Sequence, residues 1–311
     1  MGKVQAIKEK KKINWNIQIP YILMVLPGFI LTLIFGVFPK IGTYMAFTNY
    51  NFVDGIFGSP FVGLDNFKYV LGSGEIWGVV LQTIGYHFLL SIPNMFLAPL
   101  LAILLYYVKN KFASKLFQEA ISLPYLLSYT VIGYIYMMFL SYDNGLVNSA
   151  LEKMGIERIS WYTTPGPWPI FFLIGIAWFG AGIRSIYYYS TLMAVDESLF
   201  ESVRLDGGNR WHEIRYIMVP QMMPIICIFL ITQASNILAG GSYAMFNSLT
   251  AGSPALYGVT NVLDTYIVRA IFQSTYGTTT ALSIITAGFT TVTFYGLNWI
   301  VKKINPEYAY I

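Results

Sequence analysis

The stretch DESLFESVRLDGGNRWHEIRYIMVPQMMP, Asp196 to Pro224, is a charged island between two long apolar runs. Asp196 is placed to cap a helix whose first turns carry Glu197 and Glu201 and whose last turn carries Arg204, an order that suits the helix dipole. Asp206-Gly207-Gly208 breaks that helix. Asn209 is placed to cap a second one running toward Pro220, along which Trp211, Ile214 and Met218 are spaced as one apolar stripe. The pattern predicts a helix–turn–helix elbow lying at a membrane surface.

The flanking runs set the fold class. Of 311 residues, 56% are hydrophobic and 11% charged, against roughly 45–50% and about 25% in soluble domains. Uncharged stretches reach the roughly 20 residues that a membrane-crossing helix needs. Hydropathy places them at about 21–39, 77–107, 118–141, 169–195, 220–242 and 278–301. The expectation is an all-α integral membrane protein with six transmembrane helices. Residues 1–20 form an N-terminal segment, 21–301 the membrane domain with its elbow at 196–220, and 302–311 a tail.

Charge sets the expected orientation. Lys8, Lys10, Lys11 and Lys12 precede the first run, which ends in Phe38-Pro39-Lys40 without a small-residue cleavage pattern, so it reads as a retained signal anchor. With both termini cytoplasmic, the inner segments collect Lys3, Lys8, Lys10, Lys11, Lys12, Lys109, Lys111, Lys115, Arg204, Arg210, Arg215, Lys302 and Lys303. The outer loops keep only Lys40, Lys68, Lys153, Arg158 and Arg269. Those outer loops, at about 40–76, 142–168 and 243–277, are rich in Gly, Pro, Asn and aromatic residues. The last is apolar enough to leave a short or re-entrant helix open.

Other function classes lose support. The net charge of +4 is spread between spans rather than gathered into a nucleic-acid patch, and the single cysteine, Cys227, offers neither an internal disulfide nor a metal set. No G-x-x-x-x-G-K-[ST] loop occurs, so the chain lacks a conventional ATP site. No nucleophile–base pair or paired catalytic carboxylates stand in a plausible enzyme site.

The elbow resembles the signature of ABC importer permeases: Glu-Ala-Ala, three residues, Gly, nine residues, then Ile-x-Leu-Pro. Here Glu201-Ser202-Val203, Gly207, and Ile217 with Val219 and Pro220 fill those places, with Ser202, Val203 and Val219 departing from the commonest letters. The resemblance implies a type I importer permease fold in a bacterial cell membrane, with a coupling helix docked on a separate cytoplasmic ATPase. Glu201 would be its polar anchor, Gly207 its tight turn, and Arg204 and Asp206 would pair locally or across the interface. It also implies two copies of that ATPase carrying ATP and Mg, a second, non-identical permease subunit and an extracytoplasmic solute-binding protein. No cofactor would be bound by this chain.

Two further stretches resemble the carbohydrate-importing branch: Phe61-Val62-Gly63-Leu64-Asp65-Asn66-Phe67, and Asn261-Val262-Leu263-Asp264-Thr265-Tyr266 followed by Arg269, the latter similar to importers of longer oligosaccharides. For the second stretch, a polar outer loop or a local Asp264–Arg269 pair remains open. A sugar pathway needs amides and hydroxyls beside aromatic faces. Candidates are Gln82, Tyr86, Asn94, Tyr136, Gln233, Asn236, Tyr243 and Asn247, with Gln233, Ser235 and Asn236 the best cluster. The alternative for each is helix–helix hydrogen bonding. His87 reads as a packed or hydrogen-bonded histidine, and Arg184 as a snorkelling or interhelical cation with a substrate role open. A permease for another solute, and an ion-coupled transporter acting alone, are the competing functions; the second would call for ionisable groups inside the spans, which are few.

Overall fold

The computed structural model describes residues 15–238, 243–273 and 276–310, with side chains from residue 18 onward. Lys3, Lys8 and Lys10 to Lys12 of the expected inner segment lie outside the described residues, as do the last residues of the expected 220–242 span.

Among the described residues, five helices are long and apolar enough to cross a membrane: α1 (Gln18–Phe47), α3 (Gly74–Tyr106), α7 (Trp168–Met193), α9 (Arg210–Ser235) and α12 (Tyr276–Ile304). Between them stand α2 (Asp65–Gly72), α6 (Leu146–Lys153), α8 (Glu197–Leu205), α10 (Tyr243–Leu249) and α11 (Leu263–Phe272). The long helices start where capping chemistry supplies an acceptor; the Ser73 side chain accepts from the Ile76 N–H at the head of α3.

The expected span 118–141 is broken rather than straight, and counted as one span it brings the membrane-crossing elements to six among the described residues. It is a bent pair, α4 (Lys111–Leu126) and α5 (Tyr129–Leu140), whose axes turn by 95°. Pro124 cannot donate a backbone hydrogen bond and the chain tightens over Leu123–Leu126. Ser128 then caps α5 by accepting from Val131 N–H. The bend is held from behind by α7: a Cβ at Gly182 would overlap the Ile121 carbonyl oxygen. Gly182→Ala must therefore displace backbone rather than a side-chain tip, and is expected to destabilise the fold by at least about 1–3 kcal/mol. A thermal melt of the purified complex reads this; an unchanged midpoint would mean the bend yields freely.

The 243–277 region, left open above, contains the short helices α10 and α11. α3 lies along α7, α5 packs on α10, and α12 packs on α9, α2 and the last turns of α1. Three apolar clusters result. One joins Ile132, Trp168, Phe172 and Phe246; a second joins Val79, Leu263 and Leu282. The third joins Ala98, Ala102, Leu192, Phe200, Met218 and Met222, and seats the elbow on α3, α7 and α9. By contrast α1 buries none of its most apolar window, as a helix facing lipid or another subunit would.

Candidate functional site: the elbow and the cavity it adjoins

The elbow forms as its residues dictate. Asp196 accepts from Ser198 N–H at 3.0 Å, and that hydrogen bond holds its carboxyl below the usual range. In α8, Phe200 points inward, fully buried and stacked on Tyr106 with ring centroids 5.2 Å apart, while Glu201, Ser202, Arg204 and Leu205 are exposed and Val203 is half-buried. Gly207 adopts φ +77°, the left-handed conformation that glycine takes without strain. Gly208 is needed for space: a Cβ there would stand 2.5 Å from Val203 Cγ1 and 2.7 Å from Val203 O. Asn209 accepts from Trp211 and His212 N–H, and His212 Nδ1 accepts from Asn209 N–H, which completes a capping box.

The second half of the elbow is not a separate surface helix ending near Pro220. It is the first part of α9, continuous to Ser235. A widened turn over Ile214–Met218 precedes Pro220 and accommodates the backbone donor that proline lacks. Ile217 and Met218 are buried, but Trp211 is 64% exposed, so the expected stripe reaches the core only through its later members.

Arg204 does not pair with Asp206. Its Nε donates to Glu213 Oε1 at 2.7 Å, and the Tyr107 hydroxyl donates to Glu213 Oε2 at 2.7 Å. The Glu213 side chain is only 3% exposed. Burial, followed by this hydrogen bond and the Glu213 charge, pushes the Tyr107 phenol well above its ordinary range. The Arg210 guanidinium sits 5.0 Å from the centre of the Tyr107 ring. One carboxylate thus ties α8, the end of α3 and the start of α9. Glu213 and Tyr107 were not singled out from the sequence; the buried acid is visible only once its partners are assembled.

Above the elbow, α3, α5, α7, α9 and α10 enclose a cavity of about 370 Å³. Thr83, Tyr86, His87 and Asn94 line it from α3, Tyr129 from α5, Arg184 from α7, Gln233 from α9 and Asn236 from just past its end, with Asp264 of α11 also on the wall. Asn94, Arg184, Gln233 and Asn236 also line a neighbouring cavity of about 280 Å³ with Ser91, Tyr188, Phe229 and Thr232. Gln233 Nε2 donates to Ser91 Oγ at 3.0 Å, and Ser91 Oγ donates to the His87 carbonyl at 2.5 Å, which links α9 to α3 across the wall.

Residues 83–309 match the family described as "Binding-protein-dependent transport system inner membrane component". The chain belongs to that family. It is 28% identical over 306 residues to the "Polygalacturonan/rhamnogalacturonan transport system permease protein YteP" of Bacillus subtilis, covering 97% of this chain and 94% of that one. It is 25% identical to the "Trehalose/maltose transport system permease protein MalF" of Thermococcus litoralis, covering 85% and 87%. Its fold matches a chain of a bacterial ABC transporter "involved in the import of the acidic polysaccharide alginate" with TM-score 0.82 and 27% identity, covering 94% of this chain and 98% of that one.

In this inner membrane component the pathway candidates divide into two groups. Tyr86, Asn94, Gln233 and Asn236 share the cavity wall. Gln82, Tyr136, Tyr243 and Asn247 lie off it. Gln82 Nε2 donates to the Gly258 carbonyl at 2.8 Å, and the Tyr136 hydroxyl donates to the Phe171 carbonyl at 2.6 Å beside a separate apolar cavity. Tyr243 stands near Arg269, and Asn247 is exposed. Ser235, placed in the best cluster, is buried and donates to the Ile231 carbonyl. Arg269 forms no ion pair with Asp264; it stacks on Tyr257, 3.8 Å from the ring centre, and donates to Thr260 Oγ1 at 2.7 Å. His87, expected to pack or hydrogen-bond, also lines the cavity.

Proposed function

We propose that this chain is one membrane half of an ATP-driven importer that carries an oligosaccharide inward by alternating access. The observation that carries the reading is mechanical: the helix entering the elbow, α7, and the helix leaving it, α9, both line the cavity. Arg184 lies twelve residues before Asp196, roughly 18 Å along a helix. A push on α8 therefore bears on two cavity walls at once.

In this reading Glu201, Ser202, Val203, Arg204, Asp206 and Gly207 present α8 to a cytoplasmic ATPase, while Ile217 and Pro220 form the ending of the motif at the base of α9. ATP and Mg sit on two copies of that ATPase, both termini of this chain are cytoplasmic, and a similar second permease closes the cavity from its open side. A solute-binding protein delivers the sugar outside; the alginate importer has also been solved with a periplasmic protein bound to an alginate pentasaccharide. A cavity that combines amides, hydroxyls and tyrosine faces suits a carbohydrate, and the related permeases named above handle saccharides.

The test is radiolabelled oligosaccharide uptake by proteoliposomes containing the full complex, with ATP on the ATPase side. Uptake is expected to require ATP and to collapse in Glu201→Lys and Gly207→Asp while the membrane subunits stay assembled. Uptake that persists without ATP and ignores both substitutions would make the chain an autonomous transporter.

A further inference from the structure

The cavity wall carries a cation and an acceptor that the chain itself leaves unsatisfied. Among the described residues the Arg184 guanidinium forms no ion pair and no hydrogen bond. Its neighbours are the Phe229 ring, 6.0 Å away, and the phenols of Tyr188, Tyr129 and Tyr125. Asp264, also on the wall, has interactions of its own and does not pair with Arg184. On α3, Asn94 is 5% exposed, and its Oδ1, packed beside Gly180 of α7, is buried without a hydrogen-bond partner. Arg184 and Asn94 both line the two neighbouring cavities.

A cation at membrane depth is costly and persists where an anion meets it, and a buried acceptor without a donor costs about 1–3 kcal/mol. Their complement is a ligand that offers an anionic, preferably planar, acceptor and a nearby hydroxyl donor. A neutral hexose supplies only the second. A uronosyl unit supplies both: its carboxylate matches the guanidinium fork, a ring hydroxyl can donate to Asn94 Oδ1, and its apolar face can rest on Tyr129.

We propose that Arg184 is the anion-recognising residue of the pathway, taking the carboxylate of a uronosyl unit while Asn94 accepts from a sugar hydroxyl, so that acidic oligosaccharides are the favoured cargo. This rests on the reading of the cavity as a saccharide pathway. The competing account is that Arg184 pairs with an acid of the second permease and serves assembly alone.

The experiment uses the full complex with its binding protein in proteoliposomes. The probes are radiolabelled tetragalacturonate and its methyl ester, which keeps the rings and hydroxyls and removes the charge. Rates are taken for the native chain, Arg184→Lys and Arg184→Gln, and the ratio of ratios cancels any preference of the binding protein. Arg184→Gln is expected to slow tetragalacturonate about tenfold to a hundredfold, the worth of a charge-assisted hydrogen bond. Ester uptake should fall far less than tetragalacturonate uptake, binding-protein-stimulated ATP hydrolysis should persist, and Arg184→Lys should recover part of the loss. Equal slowing of acid and ester, or lost ATP hydrolysis, would assign Arg184 to assembly and overturn the proposal. Unchanged acid uptake in Arg184→Gln would overturn it directly. Entry of neither probe into native vesicles that hydrolyse ATP would overturn this inference, and absence of uptake for a neutral maltooligosaccharide as well would overturn the saccharide reading.

Discussion

Glu213→Ala is expected to lower uptake about tenfold, within the range of coupling energies between linked sites, while ATP hydrolysis continues. Glu213 accepts from Arg204 of α8 and from Tyr107 at the end of α3, and stands in the first turn of α9. Without it α8 is still held by the buried Phe200, but its polar connection to two cavity-lining helices is gone. Motion delivered to α8 would then dissipate in the joint. Glu213→Gln keeps the shape and one acceptor and should be milder. Removing the other partner should be worse for folding: Arg204→Met leaves a nearly buried carboxylate with Tyr107 as its only hydrogen-bond donor, and an orphaned buried charge costs more than its deletion. Parallel uptake, ATP hydrolysis and melting measurements check the set. Uptake and hydrolysis falling in step, or Arg204→Met melting above Glu213→Ala, would refute the arrangement.

The parts of this fold that were legible in the sequence are those written in short-range chemistry. The Asp196 cap, the Asn209 cap and the turn at Gly207 depend on neighbours within a few residues, and each stands where its residue type predicts. Hydropathy located the spans because a bilayer averages over about 20 residues. The same averaging hid the bend between α4 and α5, although Pro124 and Ser128 announce a stop and a start. It also hid the continuity of α9 through Pro220, which depends on a widened turn before the proline.

The pathway was half legible for a different reason. A polar residue in an apolar run must be satisfied, but composition does not say by what: Gln82 by the Gly258 carbonyl, Tyr136 by the Phe171 carbonyl, Asn94 Oδ1 by nothing in this chain. Helical spacing would have sorted some of them. Thr83, Tyr86, His87, Leu90 and Asn94 recur at steps of three, four and seven along one face of α3, and all five line the cavity, whereas Gln82, four residues before Tyr86, stands at the edge of that face and turns to the Gly258 carbonyl.

Leu205→Asp is expected to weaken ATPase binding by at least about tenfold to a hundredfold. α8 has two faces: Phe200 is buried against Tyr106, while Leu205 is 87% exposed next to the exposed Glu201, Ser202 and Asp206. An apolar side chain left so bare beside charged neighbours suits a partner's groove, and burying a leucine contributes about 1.5–3 kcal/mol. The aspartate both forfeits this and places a charge where none can be solvated. Leu205→Met should be nearly silent, since it conserves volume and polarity. Co-purification and titration of the ATPase onto the membrane subunits measure the effect. Because the defect is one of affinity, excess ATPase should restore uptake by mass action, whereas it should do nothing for Glu213→Ala, whose ATPase is bound but disconnected. Native affinity in Leu205→Asp would move the docking face elsewhere on the chain. Failure of excess ATPase to rescue would place Leu205, like Glu213, inside the transmission joint rather than at its contact.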